Sequence, residues 1–377
     1  MKIACIASSQ IPSTTANSIQ VMKVCHALAQ LHPEVRLWVP GSSDTSWTTL
    51  RVHYGLAHEF EIVWQPSQQM LKRYDLALHA INQATAWGAD LVYTWLPQAA
   101  VLAGLRRIPT LLEMHDLPTG RMGPHLFRQF VRQRSPKRLL SITQALYDKL
   151  RSQFGFDLPE EDYRIAPNGT DLERYAALPE PEEARRTLGL PAGLTVGYTG
   201  HFYQGRGMDL LMRLLPAFPQ VNFMFVGGQP EKVTTWQGLM KQHDFTNGYT
   251  TGFIENARLP LYQAAADILL MPYEQSIAGS SGGNSADICS PMKMFDYLAA
   301  GRAILTSDLP VLHEVLNDEN AVFCAPNDVD AWITALGGLI DDPAGRERLG
   351  RQARLDAAAY TWKARAEKAL EGLAGEK

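Results

Sequence analysis

Short apolar runs alternate with amphipathic helical stretches twice along this chain, and the seam between the two series constrains the fold most. The first series closes at Pro167-Asn168-Gly169-Thr170-Asp171. The second opens at Gly197-Tyr198-Thr199-Gly200-His201-Phe202-Tyr203-Gln204-Gly205-Arg206-Gly207, a glycine-rich strand-to-helix turn carrying an arginine. A turn of that kind directs backbone N–H groups at a helix start and adds a fixed cation, a pairing suited to a diphosphate. Two α/β halves with an anion seat on the second predict a cleft that handles a nucleotide-linked substrate.

In the first half, strands are expected at Ile3–Ala7, Val35–Val39, Phe60–Trp64, Leu91–Trp95, Thr110–Met114 and Leu139–Thr143. Helical segments fall between them, the first beginning near Ser18, where Asn17 and Gln20 have capping-box spacing. Strand and helix alternating at this spacing predict a parallel, doubly wound sheet. The stretch Leu178-Pro179-Glu180-Pro181-Glu182-Glu183 breaks the pattern and reads as a linker edge. Strands are then expected at Thr195–Thr199, Asn222–Val226, Tyr249–Gly252, Ile268–Pro272, Ala303–Thr306 and Ala321–Phe323. The Ser- and Gly-rich stretch between Pro272 and Pro291 is long for a compact domain, which marks it as mobile, functional or both. The division expected is 1–175 together with a C-terminal helix at 361–377, against 190–358.

A length of 377 residues exceeds what one core usually covers. The formal net charge of -4 argues against a nucleic-acid partner. Cys5, Cys25, Cys289 and Cys324 show no CxxC pairing and read as buried thiols in a reducing cytosol. The apolar run at Met1–Ala7 is too short for a signal peptide, and no stretch approaches the roughly eighteen apolar residues of a membrane span. The expected location is therefore cytoplasmic, with the inner face of the membrane as a second option. That option rests on Arg121, Arg128, Arg132, Arg134, Lys137 and Arg138, which interleave with Leu126, Phe127, Phe130 and Val131. One reading is an interfacial helix on anionic lipid; the other is an ordinary domain helix with its apolar stripe on the sheet.

With these motifs in order, the chain resembles the retaining glycosyltransferases of the GT-B fold, in the large family numbered four. The resemblance rests on Pro167-Asn168-Gly169-x-Asp171, on the turn from Gly200 to Gly207, on Ser290-Pro291-Met292-Lys293-Met294-Phe295-Asp296-Tyr297-Leu298-Ala299-Ala300-Gly301, and on Ser307-Asp308-Leu309-Pro310. It implies two doubly wound, Rossmann-like domains facing a cleft, acceptor on the first and nucleotide sugar on the second. It implies metal-independent transfer from a UDP-, GDP- or ADP-linked sugar, with no resident cofactor, to a sugar, lipid-linked or small-molecule acceptor. The final helix crosses back to the first domain in such enzymes.

The family's turn carries an Arg after the first Gly and a Lys before a later one, both clasping the donor diphosphate. His201 and Arg206 stand there in this chain. The family's second signature is a pair of Glu residues eight apart, the second binding ribose. Asp296 takes that place, and Ile288 stands where the first Glu belongs. This resembles a subgroup with Ser-Pro-x-Lys instead, in which backbone N–H groups entering the helix face the phosphates. Cys289, Ser290 and Met292 are the residues so assigned, Ser290 also offering its hydroxyl. Lys293 either adds charge or is a solvated helix lysine.

On the first half, Glu113-Met114-His115-Asp116 ends a predicted strand, where ligands bind in parallel sheets. The resemblance gives His115 contact with the transferred sugar or the acceptor; otherwise it caps the strand end with Asp116 as partner. Asn17 lies where the family often carries two glycines near the phosphates, and is a weaker candidate. Asn168 and Gly169 shape the cleft rather than do chemistry. Catalytic roles fall to His115, Arg206 and His201. Asp328-Val329-Asp330 has metal-binding spacing but precedes a helix, so a capping pair is expected and no metal site. Two further readings stay open: a sugar-nucleotide epimerase or hydrolase on the same fold, and a catalytically degenerate nucleotide-sugar-binding protein.

Overall fold

The computed structural model describes residues 1–71, 73–277 and 284–373. Most of the glycine-serine segment singled out above, 279–283, lies outside the described residues. The chain divides into two units, Met1–Asn168 with Trp362–Lys377, and Gly169–Thr361.

Unit 1 runs β1 (Lys2–Ile6), α1 (Ala16–Leu31), β2 (Glu34–Pro40), α2 (Trp47–Tyr54), β3 (Glu61–Gln65), α3 (Tyr74–Trp87) and β4 (Leu91–Thr94). It continues through α4 (Pro97–Leu105), β5 (Thr110–Met114), α5 (Gly123–Arg132), β6 (Lys137–Ser141), α6 (Gln144–Phe154) and β7 (Tyr163–Ile165). The sheet is parallel in the order β3-β2-β1-β4-β5-β6-β7. Its middle strands read as continuous apolar runs because both faces are covered by helices. Ala4, Ile6, Trp38 and Val92 pack against Leu76, Ala80 and Ile81 of α3.

Unit 2 runs α7 (Pro181–Leu188), β8 (Thr195–Thr199), α8 (Met208–Leu214), β9 (Asn222–Val226), α9 (Pro230–Gln242), β10 (Gly248–Gly252) and α10 (Leu259–Ala264). It continues through β11 (Ile268–Met271), α11 (Met292–Ala300), β12 (Ala303–Ser307), β13 (Val322–Cys324), α12 (Val329–Asp341) and α13 (Pro343–Asp356). The strand order is β10-β9-β8-β11-β12-β13, again parallel. One face packs Val196, Tyr198, Phe223, Phe225 and Leu305 against Leu211, Leu214, Trp332 and Leu336.

The last helix, α14 (Trp362–Leu370), belongs to unit 1 and packs along α1. Arg138 of β6 explains its C-terminus. The guanidinium is buried and donates to the carbonyls of Ala369 at 2.8 Å and Glu371 at 2.7 Å. A cation at a helix C-terminus satisfies orphan carbonyls and opposes the negative end of the dipole. Arg138 is thus no part of a surface basic run. Phe127, Phe130 and Val131 of α5 are likewise buried, which favours the domain-helix reading over an interfacial one. Among the described residues no helix is long and apolar enough to cross a membrane.

The structure departs from the sequence expectation at three places. The cap of α1 is Thr15, whose hydroxyl accepts from the Ser18 N–H, so the helix starts one residue ahead of Asn17. Residues 181–188 form α7 rather than a linker edge: Pro181 opens it and Gly189 closes it in the left-handed region at φ 66. The third is the strand Tyr163–Ile165, too short to leave a periodic signal. Asp328 caps α12 through the Ala331 N–H, as expected of a capping residue. Cys5, Cys25 and Cys324 are buried and all four cysteines are free.

Candidate active site

In each sheet the chain reverses winding between two adjacent central strands, β1 and β4 in unit 1, β8 and β11 in unit 2. Loops past the C-terminal ends of such strands are where doubly wound sheets bind ligands. In unit 2 these loops are the glycine turn after β8 and the segment from Pro272 to Pro291 after β11.

The glycine turn packs on the start of the second loop, from Pro272 to Ile277, and glycine is what permits it. Gly207, at φ 71, caps α8, and a Cβ there would overlap the carbonyl of Pro272. Gly200, at φ 142, has a backbone conformation that L side chains rarely adopt, and a Cβ there would lie 2.8 Å from Lys293 Nζ. So the lysine of α11 reaches under the turn and rests against its first glycine. Its ammonium sits 3.8 Å from the centroid of the Tyr198 ring and 5.5 Å from that of Tyr273. The Arg206 guanidinium carbon lies 5.0 Å from the same Tyr273 centroid and 5.3 Å from that of Tyr203. Tyr273 therefore stands beside both cations.

This pair is electrostatically unbalanced. Lys293 Nζ and Arg206 Nε are closed off from solvent and have no hydrogen-bond partner among the described residues. Burial pulls the Lys293 pKa well below its usual value, and the nearby Arg206 charge pulls it further. Arginine keeps its proton in such surroundings. Rings hold cations by their quadrupole, which is weaker than pairing with an anion. The floor beneath is fixed by Tyr297, whose hydroxyl accepts from the Thr199 N–H at 2.8 Å.

Arg206, Lys293 and Cys289 gather in this part of unit 2, with Ser290 buried and Met292 half-buried at the start of α11. Two assignments change in detail. The Cys289 N–H donates to Ser285 O at 2.9 Å and is spent inside the loop. Its thiol is pushed up to about 11 by burial, so it stays protonated. The glycine turn also offers fewer amides than its sequence suggests. The Gly207 N–H goes to a Glu274 carboxylate oxygen and the Arg206 N–H to Tyr203 O. By contrast α11 starts at Met292 with no side-chain cap. His201 stacks on Tyr203 at 5.1 Å and gives its carbonyl to the Tyr198 hydroxyl. Asp296 is half-buried and accepts from Thr170 Oγ1 at 2.9 Å. The chain passes between the units at Asn168 and Gly169.

His115 and Asn17 belong to unit 1. Asn17 is exposed in the first turn of α1 and accepts from the Ser9 hydroxyl. His115 follows β5, and its partner is not Asp116. Its Nε2 lies 2.6 Å from Glu113 Oε1, while Asp116 bonds the Leu117 N–H. Glu113 is fully buried, as charged groups are only when paired. It also takes Gln20 Nε2 at 2.6 Å, Arg365 Nη2 at 2.7 Å and the Tyr93 hydroxyl. Burial alone would raise this carboxyl; the Arg365 cation and then the His115 hydrogen bond outweigh it and hold the pKa at about 2. A glutamate inside the apolar strand Thr-Leu-Leu-Glu-Met was a visible sign of such a cluster. Nothing in the sequence tied Arg365, on the last helix, to it. Among the described residues no group of three His, Cys, Asp or Glu side chains is placed to hold a metal.

Comparison with known proteins bears on the family and the fold. The family model described as Glycosyltransferase Family 4 matches residues 18–174, and that described as Glycosyl transferases group 1 matches residues 193–342. The chain is 25% identical over 300 residues to the glycogen synthase of Mycobacterium tuberculosis, covering 75% of this chain and 67% of the relative. It is 25% identical over 367 residues to the GDP-mannose-dependent alpha-(1-6)-phosphatidylinositol monomannoside mannosyltransferase of Mycolicibacterium smegmatis, covering 91% of each. In fold it matches Anabaena Alr3699/HepE, solved in complex with UDP-glucose, at a TM-score of 0.74 and 16% identity over 99% of both chains. It also matches sucrose-phosphate synthase from Thermosynechococcus elongatus, at a TM-score of 0.71 and 17% identity over 98% of this chain and 97% of that one. These matches establish two Rossmann-like domains of the GT-B type.

Proposed function

The chain belongs to the group 1 glycosyltransferases of family 4, and from that premise we propose that unit 2 seats the diphosphate of a nucleotide-sugar donor against Arg206 and the start of α11. The sugar passes to a hydroxyl of a saccharide, lipid-linked or small-molecule acceptor, with retention of anomeric configuration. The nucleotide sugar is a co-substrate, and on this reading no resident cofactor takes part. A leaving diphosphate needs its developing charge stabilised in place. Arg206 binds it directly, its planar fork matching two phosphate oxygens. Lys293 acts from behind the turn, where its enclosed ammonium makes the potential at Gly200 positive. It thereby takes up the charge that His201 need not carry at neutral pH. Asp296 orients the nucleotide, and His115 meets a sugar hydroxyl.

One observation carries this reading: Lys293 Nζ and Arg206 Nε, both closed off from solvent, sit at one glycine turn with no hydrogen-bond partner among the described residues. Such a pair costs folding energy, and a bound anion repays it. The donor base is chosen by a thermal-shift panel of UDP, GDP and ADP, since a ligand that binds only the native state raises Tm. Arg206→Ala is expected to lose roughly 2–4 kcal/mol of transition-state stabilisation. Release of nucleoside diphosphate that depends on an added acceptor supports transfer. No stabilisation by any of the three nucleotides, or full turnover by Arg206→Ala, refutes the assignment.

A further inference from the structure

The unit 1 cluster contains more than the donor reading uses. A fully buried carboxylate gathers donors from four elements: Gln20 of α1, Tyr93 of β4, His115 after β5 and Arg365 of α14. Arg365 is itself 5% exposed and is held by the Tyr93 hydroxyl at 3.1 Å, Pro167 O at 2.8 Å and Ala166 O at 3.0 Å. His115 is the member that reaches the surface, with 26% of its side chain exposed.

We infer that Glu113 is a positioning residue for His115: its carboxylate takes the Nε2–H of the imidazole, which leaves Nδ1 as the ring's hydrogen-bond acceptor for a sugar hydroxyl. The chemistry fixes which atom donates. A carboxylate accepts and cannot donate, so the ring nitrogen 2.6 Å from it must carry hydrogen. A neutral imidazole with Nε2–H presents a lone pair at Nδ1. Arg365 Nη2 supplies a cation to the same carboxylate oxygen, Oε1, at 2.7 Å. The partner this selects is a hydroxyl group that donates, whether on the donor's sugar or on an acceptor saccharide. The C-terminal helix thereby supports the site from a distance, because its Arg365 fixes the carboxylate that fixes the imidazole.

This inference rests on the transferase reading only in naming a sugar hydroxyl as the partner. The test is the tautomer of His115 in the full chain labelled with 15N-histidine, read by long-range 1H–15N correlation near pH 8 and assigned by comparison with His115→Gln. A single Nε2–H tautomer is expected. An Nδ1–H form, or an averaged mixture, overturns the proposal. Glu113→Leu/Arg365→Met removes both buried charges together, which spares the fold an unpaired ion. There the tautomer is expected to become a mixture, while the conservative Glu113→Gln keeps an accepting oxygen and restores the single form. A tautomer unchanged in the double variant also overturns it. If none of UDP, GDP and ADP binds, the donor reading fails while the tautomer result stands on its own.

Discussion

Arg365→Met is the sharpest perturbation of unit 1. The wild-type pair is enclosed, with Arg365 Nη2 at 2.7 Å from Glu113 Oε1 and the carboxylate without solvent contact. Holding Glu113 at about 2 rather than 4.5, the net of burial and all its partners, corresponds to about 3.5 kcal/mol at about 1.4 kcal/mol per factor of ten. Removing one partner of a buried ion pair typically costs about 3–5 kcal/mol, so the two scales agree. A loss of about 3 kcal/mol near neutral pH is expected, which moves a urea midpoint by about 1.5 M if the slope is about 2 kcal/mol per molar. The pH dependence then inverts. In the wild type the depressed carboxyl contributes stability that is complete above 4.5 and disappears as pH falls toward 2. In Arg365→Met the buried carboxyl has no cation, and its folded pKa rises above that of the unfolded chain. The deficit therefore shrinks as pH falls from about 8 to about 5, because the folded state now takes up the proton. Urea unfolding at several pH values, followed by tryptophan fluorescence, reads both effects. A loss below about 1 kcal/mol, or a deficit that stays flat with pH, refutes the account of this cluster.

Lys293→Met should stabilise the free protein, because it removes a desolvated charge beside Arg206, yet weaken nucleoside diphosphate binding about tenfold or more. Thermal unfolding and calorimetric titration together decide it, and a variant that loses stability without losing affinity contradicts the role. Gly207→Ala puts a Cβ into the Pro272 carbonyl at a positive φ; a loss of at least about 2 kcal/mol is expected, read as a lower Tm. Arg138→Met removes two hydrogen bonds from the end of α14; a loss of about 3 kcal/mol should appear, with faster amide exchange confined first to that helix.

The sequence by itself determined the fold class and most strands, since parallel strands buried on both faces print as short apolar runs. Thr110–Met114, Thr195–Thr199 and Asn222–Val226 have the same bounds in sequence and structure. It also marked the glycine turn and Arg206, because a backbone that must approach another chain segment closely announces itself as glycine. Tyr163–Ile165 and α7 were beyond it, being shorter than the stretch over which a helix or strand period can be read. Only tertiary structure decided which charges meet. Lys293 lies eighty-seven residues past Arg206 in the chain and shares the Tyr273 ring with it. Arg365 comes from the last helix to pair with a glutamate of β5. Hydrophobic pattern is local and survives in one dimension. Electrostatic partnership across a fold leaves no periodic trace, because its strength depends on distance and burial that no single segment records.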